Sequence, residues 1–165
     1  IVDDECVVYD IGYRLTGSLE YINIKEMCGF DPLDMLINFA LTGDMGEPDL
    51  DVKADPNLGG KYSFNVSILS KPGKIKRIEG LETVRSMPEV IEAVVAHPEG
   101  DEITEKMVGL LAQITVRILG KADSIEQMRK AMEEIHDTIK VISNQGENMV
   151  LPGIEEKDFE GTILI

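Results

Sequence analysis

Three residues near the start of the chain, Asp10, Gly12 and Arg14, recur at every second position in the stretch VVYDIGYRLTGS. In an extended strand this spacing places all three on one face. A carboxylate can hold a hard cation, a glycine lets a ligand approach the backbone, and a guanidinium offers paired donors to a carboxylate or phosphoryl oxygen. The stretch therefore fits a site for an anionic, metal-bound ligand. The alternative is a surface strand whose Asp and Arg form a weak ion pair, and these three residues alone favour that alternative.

The charge of the chain limits its partners. Its 165 residues carry 16 basic and 31 acidic side chains, a formal net charge of −15. This charge repels phosphate backbones and anionic headgroups, and no apolar run approaches the ~20 residues that span a bilayer. We therefore expect neither nucleic acid nor a membrane as a partner, whereas a homodimer is compatible with the sequence. Cys6 and Cys28 lack the spacing of a zinc site or a disulfide framework, which favours a reduced, cytoplasmic location.

Two helices are predicted early in the chain by the residues at their ends. The first covers Leu19–Cys28 and is closed by Gly29. The second has Asp31 as its N-cap and Pro32 at its first helical position, and Gly43 ends it. Its apolar stripe consists of Leu33, Leu36, Ile37, Ala40 and Leu41.

After a connector rich in Pro, Gly and Asp, residues 44–60, the hydrophobic period changes to two. The alternation in KYSFNVSILS predicts a strand, and the following KPG is predicted to turn it into KIKRI as an antiparallel hairpin. One face of the first strand would carry Tyr62, Phe64, Val66 and Ile68, and the other Ser63, Asn65 and Ser67. Further strands are predicted at Val90–Ala96, Leu111–Leu119 and Thr162–Ile165.

An amphipathic helix is predicted over residues 124–140, where Ser124 and Gln127 form a capping box. Its apolar stripe, which we expect to be buried on the sheet, consists of Ile125, Met128, Met132, Ile135 and Ile139. A run of strands followed by a helix indicates an α+β fold with an antiparallel sheet.

Other polar residues have a structural and a functional interpretation. His97 and His136 have no partner at metal-ligand spacing, which favours structural roles over metal binding or catalysis. A basic group in the predicted hairpin could hold a phosphate, but lysines that protect an exposed sheet edge are the favoured interpretation. This group consists of Lys71, Lys74, Lys76 and Arg77.

Several segments together resemble the ATP-grasp superfamily, in the group of carbamoyl-phosphate synthase and biotin carboxylase. YDIGYRLTGSLEYINIKEMCGFDPLDMLINFALTG is similar to the end of an ATP-grasp domain, where a Glu-x-Asn-x-Arg strand precedes Gly-rich backbone and two helices. SKPGKIKRIEG resembles a hairpin of the C-terminal domain of biotin carboxylase, and ITVRILGKADSIEQMRKAMEEI resembles its strand and helix. The resemblance extends roughly over residues 6–151.

The resemblance implies roles for the residues near the start. Asp10 lies where the family has its metal-binding Glu, Arg14 matches the arginine that contacts substrate or phosphate, and Gly12 and Gly17 are implied to border the nucleotide. Gly12 replaces the family's Asn, which removes an oxygen ligand, and Asp10 is one methylene shorter than Glu. Magnesium is commonly held by one or two carboxylates plus nucleotide phosphates. The resemblance therefore still implies ATP and Mg²⁺ as cofactors.

The resemblance also implies that the chain is the C-terminal portion of a larger ligase. Residues 1–45 would end the ATP-grasp domain, 46–60 would be a linker, and 61–165 would form the β-rich C-terminal domain. The parent enzyme would activate a small carboxylate with ATP as an acyl phosphate, which an amine or another nucleophile then attacks.

The chain starts at Ile1 and lacks the family's ATP-contacting lysines and its glycine-rich loop. We therefore expect these parts upstream in the parent, with the remainder of the ATP-grasp chain as the partner of this segment. The fragment alone is expected to be inactive and to bind ATP weakly. The rival hypothesis is a structural or interaction domain that descends from such an enzyme without catalysis, which the missing Asn favours slightly.

Overall fold

The computed structural model describes residues 15–47, 49–55 and 57–153. The predicted strands that contain Asp10, Gly12 and Arg14, and Thr162–Ile165, lie outside these residues. The helices are α1 Glu20–Cys28, α2 Pro32–Thr42, α3 Leu50–Lys53, α4 Leu81–Arg85 and α5 Ile125–Thr138. The strands are β1 Tyr62–Leu69, β2 Gly73–Glu79, β3 Val90–Val95, β4 Glu102–Ile103, β5 Ile114–Ala122 and β6 Lys140–Ser143. Short 3₁₀ turns occupy Leu58–Gly60, Glu105–Met107 and Leu111–Gln113.

The ends of α1 and α2 confirm the predicted capping residues. Asp31 Oδ1 accepts a hydrogen bond of 2.9 Å from the Leu33 N–H at the start of α2. Gly29 and Gly43 end the two helices in the left-handed conformation, with φ of 76° and 79°, which glycine adopts at little cost. Residues at the helix ends therefore set the end of α1 and both ends of α2.

The apolar stripe predicted on α2 is left largely exposed by the described residues. Leu33, Ile37 and Leu41 are 38%, 47% and 79% exposed, whereas Met35 is the side chain of α2 that is buried. The helix packs on α1. The sequence pattern predicts which side chains share a face, but it does not say what covers that face.

The six strands form two antiparallel sheets of three strands each. The first sheet has the order β1-β5-β3 and the second has the order β4-β2-β6. Strand β3 confirms the prediction for Val90–Ala96, apart from one residue. Strand β5 begins at Ile114, later than the predicted Leu111, because residues 111–113 form a 3₁₀ turn.

The predicted hairpin between β1 and β2 is wrong, since the two strands belong to different sheets. At the KPG segment the chain crosses from one sheet to the other. Ser70 bridges to Val150, and the Lys71 N–H donates to the Met149 carbonyl at 2.7 Å. Pro72 has no N–H to give to a ladder. A distant segment of the chain thus occupies the pairing positions that a hairpin would need.

Helix α5 covers one face of the first sheet and closes the core. Ser124 Oγ accepts from the Gln127 N–H at 3.1 Å, while Gln127 Oε1 accepts from the Asp123 N–H at 2.9 Å, one residue before its partner in a standard capping box. Ile135 and Ile139 are fully buried, and Met128 and Met132 pack partly buried against the core. The predicted helix is confirmed. The opposing sheet face presents Phe64, Val66 and Ile68, all buried.

Within the described ranges, no helix is long and apolar enough to cross a membrane.

Candidate functional site

The face of the first sheet opposite α5 carries several polar side chains beside Leu119, which is fully buried and pairs with Asn65. Register pairs Ser63 with Lys121 and Ser67 with Arg117, and Asn65 lies between the two serines on β1. Paired residues of an antiparallel ladder point to the same side of the sheet. We call these five residues the polar face.

Helix α1 docks on this face through a buried amide. Asn23 is 5% exposed, and its Nδ2 donates to Ser63 Oγ at 2.5 Å and to the Phe64 carbonyl at 3.2 Å, with the Gly120 carbonyl at 3.5 Å. A hydrophobic residue would leave these strand groups without that donor. The amide therefore fixes the position of α1 on both β1 and β5.

An ion pair supports the same docking. Lys121 Nζ on β5 bonds Glu26 on α1, and both side chains are partly exposed. Such a pair contributes at most about 1 kcal/mol. The Asn23 amide is therefore expected to contribute more to the docking of α1 than this ion pair does.

The segment immediately before α1, loop 15–19, is tied to the polar face by Asn65. Its Nδ2 donates to the Ser18 carbonyl at 2.8 Å and lies 3.5 Å from Glu20 Oε1. Arg117 Nη1 in turn reaches Asn65 Oδ1 at 3.5 Å. A side chain from β1 and one from β5 are thereby linked to the backbone of the loop.

The loop contains a backbone conformation that its surroundings must maintain. Leu19 has φ of 68°, in the left-handed region, where a residue with a Cβ costs about 1 to 2 kcal/mol. Glu20 bonds the Thr16 hydroxyl across the turn. These contacts hold the loop in a geometry that an unsupported chain would leave.

Glu20 has a pKa below the ordinary value, which fits its position between these donors. Partial burial would raise the pKa of Glu20. Hydrogen bonds from Thr16, from its own backbone N–H and from Ser18, together with the charge of Arg117, outweigh that effect and lower it. The carboxylate is therefore ionised at neutral pH and available to Arg117.

Of the residues predicted to form the site, Gly17 alone is described. It lies in an exposed turn of loop 15–19, and a side chain added there would meet nothing within 4 Å. The role implied for Gly17 stays a prediction. Asp10, Gly12 and Arg14 lie outside the described residues, and Arg14 directly precedes the loop in sequence. Their implied roles stay predictions.

Sequence reasoning missed Asn65 and Arg117 as parts of this site. The two residues are 52 positions apart, on strands whose pairing no local pattern predicts. The sequence pattern could have indicated them, because each lies at a polar position of a strand in which polar and apolar residues alternate.

Both histidines have structural partners, in agreement with the favoured interpretation. His97 Nε2 lies 2.8 Å from the Ala112 carbonyl, and its Nδ1 lies 3.3 Å from Asp101 Oδ2. His136 Nε2 lies 2.9 Å from the Leu151 carbonyl. Each imidazole therefore joins two segments of the fold.

Two features of the described residues bear on the binding of Mg²⁺ and ATP. Among residues 15–47, 49–55 and 57–153, no three His, Cys, Asp or Glu side chains converge on a common point. A surface depression of about 340 Å³ along α5 is lined by Lys130, Glu133, Glu134, Asp137 and Thr138, so three acidic side chains face one basic side chain. Carboxylates there would repel a triphosphate. These residues do not fit ATP.

Comparison with known proteins shows the fold. No family profile and no curated protein matches the chain. Among solved structures, the chain is similar to the L-amino acid ligase from Bacillus licheniformis, with a TM-score of 0.64 and 21% sequence identity. The match covers 81% of this chain and 33% of that one, so the chain spans about one third of the ligase's length. The predicted α+β fold with antiparallel sheets is confirmed, and the chain shares its fold with part of that ligase.

Proposed function

We propose that this chain is the C-terminal part of an ATP-dependent ligase that joins a carboxylate to an amine. The observation that supports the proposal most is the likeness of its fold, over 81% of its length, to one third of an L-amino acid ligase. The sequence resemblance to ATP-grasp enzymes, reached without that comparison, supports the same class. A cytoplasmic location suits a reaction that consumes ATP.

The proposed reaction proceeds in two steps. A carboxylate oxygen attacks the γ-phosphorus of ATP, and ADP leaves with the bridging electron pair. The amine then attacks the acyl carbon, loses a proton, and expels inorganic phosphate, which keeps the original carboxylate oxygen. Magnesium, when bound, would neutralise part of the phosphate charge.

Within this proposal Arg14 has the role of stabilising the charged acyl-phosphate centre, and Asp10 that of a magnesium ligand. Gly12 and Gly17 leave space for the nucleotide or substrate. In the full-length protein, Arg14→Ala should lower turnover by roughly 10²-fold, because a preorganised charge at the reacting centre is lost. Arg14→Lys keeps the charge but loses the paired donors, so its turnover should lie between that of the wild type and that of Arg14→Ala.

Two substrate classes follow from different observations. The structural neighbour favours an amino acid as the carboxylate, whereas the sequence resemblance to carbamoyl-phosphate synthase and biotin carboxylase favours bicarbonate. The full-length protein, given Mg-ATP and either an amino-acid mixture or bicarbonate with ammonia, should release ADP with one of them. Release of ADP with amino acids would support an amino acid as the carboxylate substrate, and release of ADP with bicarbonate and ammonia would support the carbamoyl-phosphate synthase type. ADP release with neither would favour the non-catalytic interaction domain.

A further inference from the structure

We infer that Arg85 and Glu92 close the free edge of the first sheet at Ala93, and that they thereby keep a second copy of this chain from adding a strand to β3. This edge is distinct from the polar face, and its closure does not depend on the proposed ligase activity.

Strand β3 is an edge strand among the described residues. The first sheet has the order β1-β5-β3, so β3 pairs with β5 on one side. The Ala96 N–H donates to the Thr115 carbonyl on β5 at 2.9 Å. Because successive residues of a strand turn their backbone groups to opposite sides, Ala93 and Val95 turn theirs to the free edge. The register with β5 is regular from Ala93 to Val95, which keeps this alternation in phase.

Side chains occupy both backbone groups of Ala93. Its N–H donates to Glu92 Oε1 at 2.9 Å, and its carbonyl accepts from Arg85 Nη2 at 3.0 Å. Arg85 Nη1 also bonds Glu82 on α4 at 2.8 Å, and this second contact helps to fix the guanidinium. An N–H has one hydrogen to donate. A strand added beside β3 would therefore have to displace Glu92 before it could pair with Ala93.

The composition of β3 favours pairing with a further strand. Residues 90–96, VIEAVVA, consist of Val, Ile and Ala apart from one charged residue, Glu92. Apolar segments with high β-propensity, little charge and no proline add strands readily where an edge is open. Glu92 thus supplies the charge of this segment and also occupies the N–H of the residue that follows it.

The two side chains that close the edge lie outside the core. Arg85 and Glu92 are exposed, whereas Ala93 is buried. Replacing either exposed side chain leaves the apolar packing between the sheet and α5 in place. Variants of these two residues are therefore expected to stay folded and to differ from the wild type in association.

The test compares the self-association of variants of the full-length protein by sedimentation velocity over a range of concentrations. Arg85→Ala/Glu92→Ala frees both backbone groups of Ala93. Glu126→Ala/Lys130→Ala is the matched control, because it removes an exposed ion pair of the same two charges from α5. Both double variants keep the net charge of the wild type, so a difference between them reports on the edge of the sheet.

We expect Arg85→Ala/Glu92→Ala to associate with itself at least about tenfold more strongly than the wild type, and the control to associate like the wild type. Glu92→Ala alone frees only the N–H and should show a smaller change in the same direction. This single variant carries the test if circular dichroism shows that the double variant is unfolded.

Hydrogen exchange, measured at the lowest and highest protein concentrations, locates the new contact. In the associating variant, exchange at the Ala93 and Val95 amides should slow about tenfold as the concentration rises, because their N–H groups become paired with another strand.

Three results would overturn the inference. Folded variants that associate no more strongly than the wild type would show that Arg85 and Glu92 do not close the edge. Association with unchanged exchange at Ala93 and Val95 would place the new contact elsewhere. Equal association of the control would show that the loss of a surface ion pair, and not the opening of the edge, is the cause.

Discussion

Replacing Asn23 tests how α1 is fixed to the first sheet. The Asn23 amide has two N–H groups, and its two shortest contacts are Ser63 Oγ at 2.5 Å and the Phe64 carbonyl at 3.2 Å. Each such bond contributes about 1 kcal/mol, and a buried acceptor left without a donor costs about 1 to 3 kcal/mol. We therefore expect Asn23→Ala to lower the free energy of unfolding by roughly 2 to 3 kcal/mol.

Asn23→Asp should cost more at neutral pH than Asn23→Ala. It places a buried carboxylate opposite the carbonyl oxygens that the amide served, and burial without a donor raises the pKa of such a group. Since the raised pKa means that the folded state takes up a proton more readily than the unfolded state, the stability of this variant should increase as the pH falls through the folded pKa. Asn23→Ala should show no such pH dependence relative to the wild type.

Urea denaturation followed by circular dichroism measures both effects. Asn38→Ala is the matched control, because Asn38 is an exposed helical asparagine on α2. Its change in stability should stay within about 0.5 kcal/mol. If Asn23→Ala matched this control at an unchanged m-value, the buried amide would not be what docks α1 on the sheet.

Substitutions at three further positions test the core and a helix cap by the same denaturation assay. Gly120→Ala should cost about 1 to 3 kcal/mol or more, because its new Cβ would lie 2.1 Å from the Phe64 ring, and a stability equal to wild type would contradict that packing. Ile135→Ala should cost about 2 to 5 kcal/mol, since Ile135 is 0% exposed, and a cost below that of a surface residue would contradict its burial. Asp31→Ala should cost about 1 kcal/mol and Asp31→Asn less, because asparagine also caps. A hydrogen bond from Lys25 lowers the pKa of Asp31, so the wild type should be more stable than Asp31→Asn at neutral pH. This difference in stability should disappear as the pH falls through the lowered pKa of Asp31. A difference that persisted in acid would contradict this reasoning.

Helices α1, α2 and α5 could be predicted from the sequence because their end signals are local, whereas the short α3 and α4 were not predicted. A capping residue acts within a few residues of its own position. The structure confirms the predicted N-caps Asp31 and Ser124 and the predicted C-terminal Gly43. Strands β1, β2, β3 and β5 were equally readable, since alternation places Phe64 and Val66 in the core, but β4 and β6 were not predicted.

The pairing of strands was not predictable in the same way. KPG has the composition of a turn, but the partner of β1 is β5, about 50 residues later in the chain. Residues 149–151 pair with the end of β1 and with the two residues that follow it. A turn signal describes the backbone at one point and not which strand offers the larger apolar face. The same limit hid the candidate site, since Asn65 and Arg117 become neighbours only through that pairing.

The most direct test of the proposed function follows an isotope through the reaction. The full-length protein is given Mg-ATP, an amine and a carboxylate labelled with ¹⁸O in both carboxyl oxygens, and the released phosphate is examined by mass spectrometry or ³¹P NMR. An acyl-phosphate mechanism predicts ADP as the nucleotide product and one ¹⁸O in each phosphate formed by ligation. Release of AMP and pyrophosphate, or of phosphate without the label, would contradict the proposed ligase chemistry.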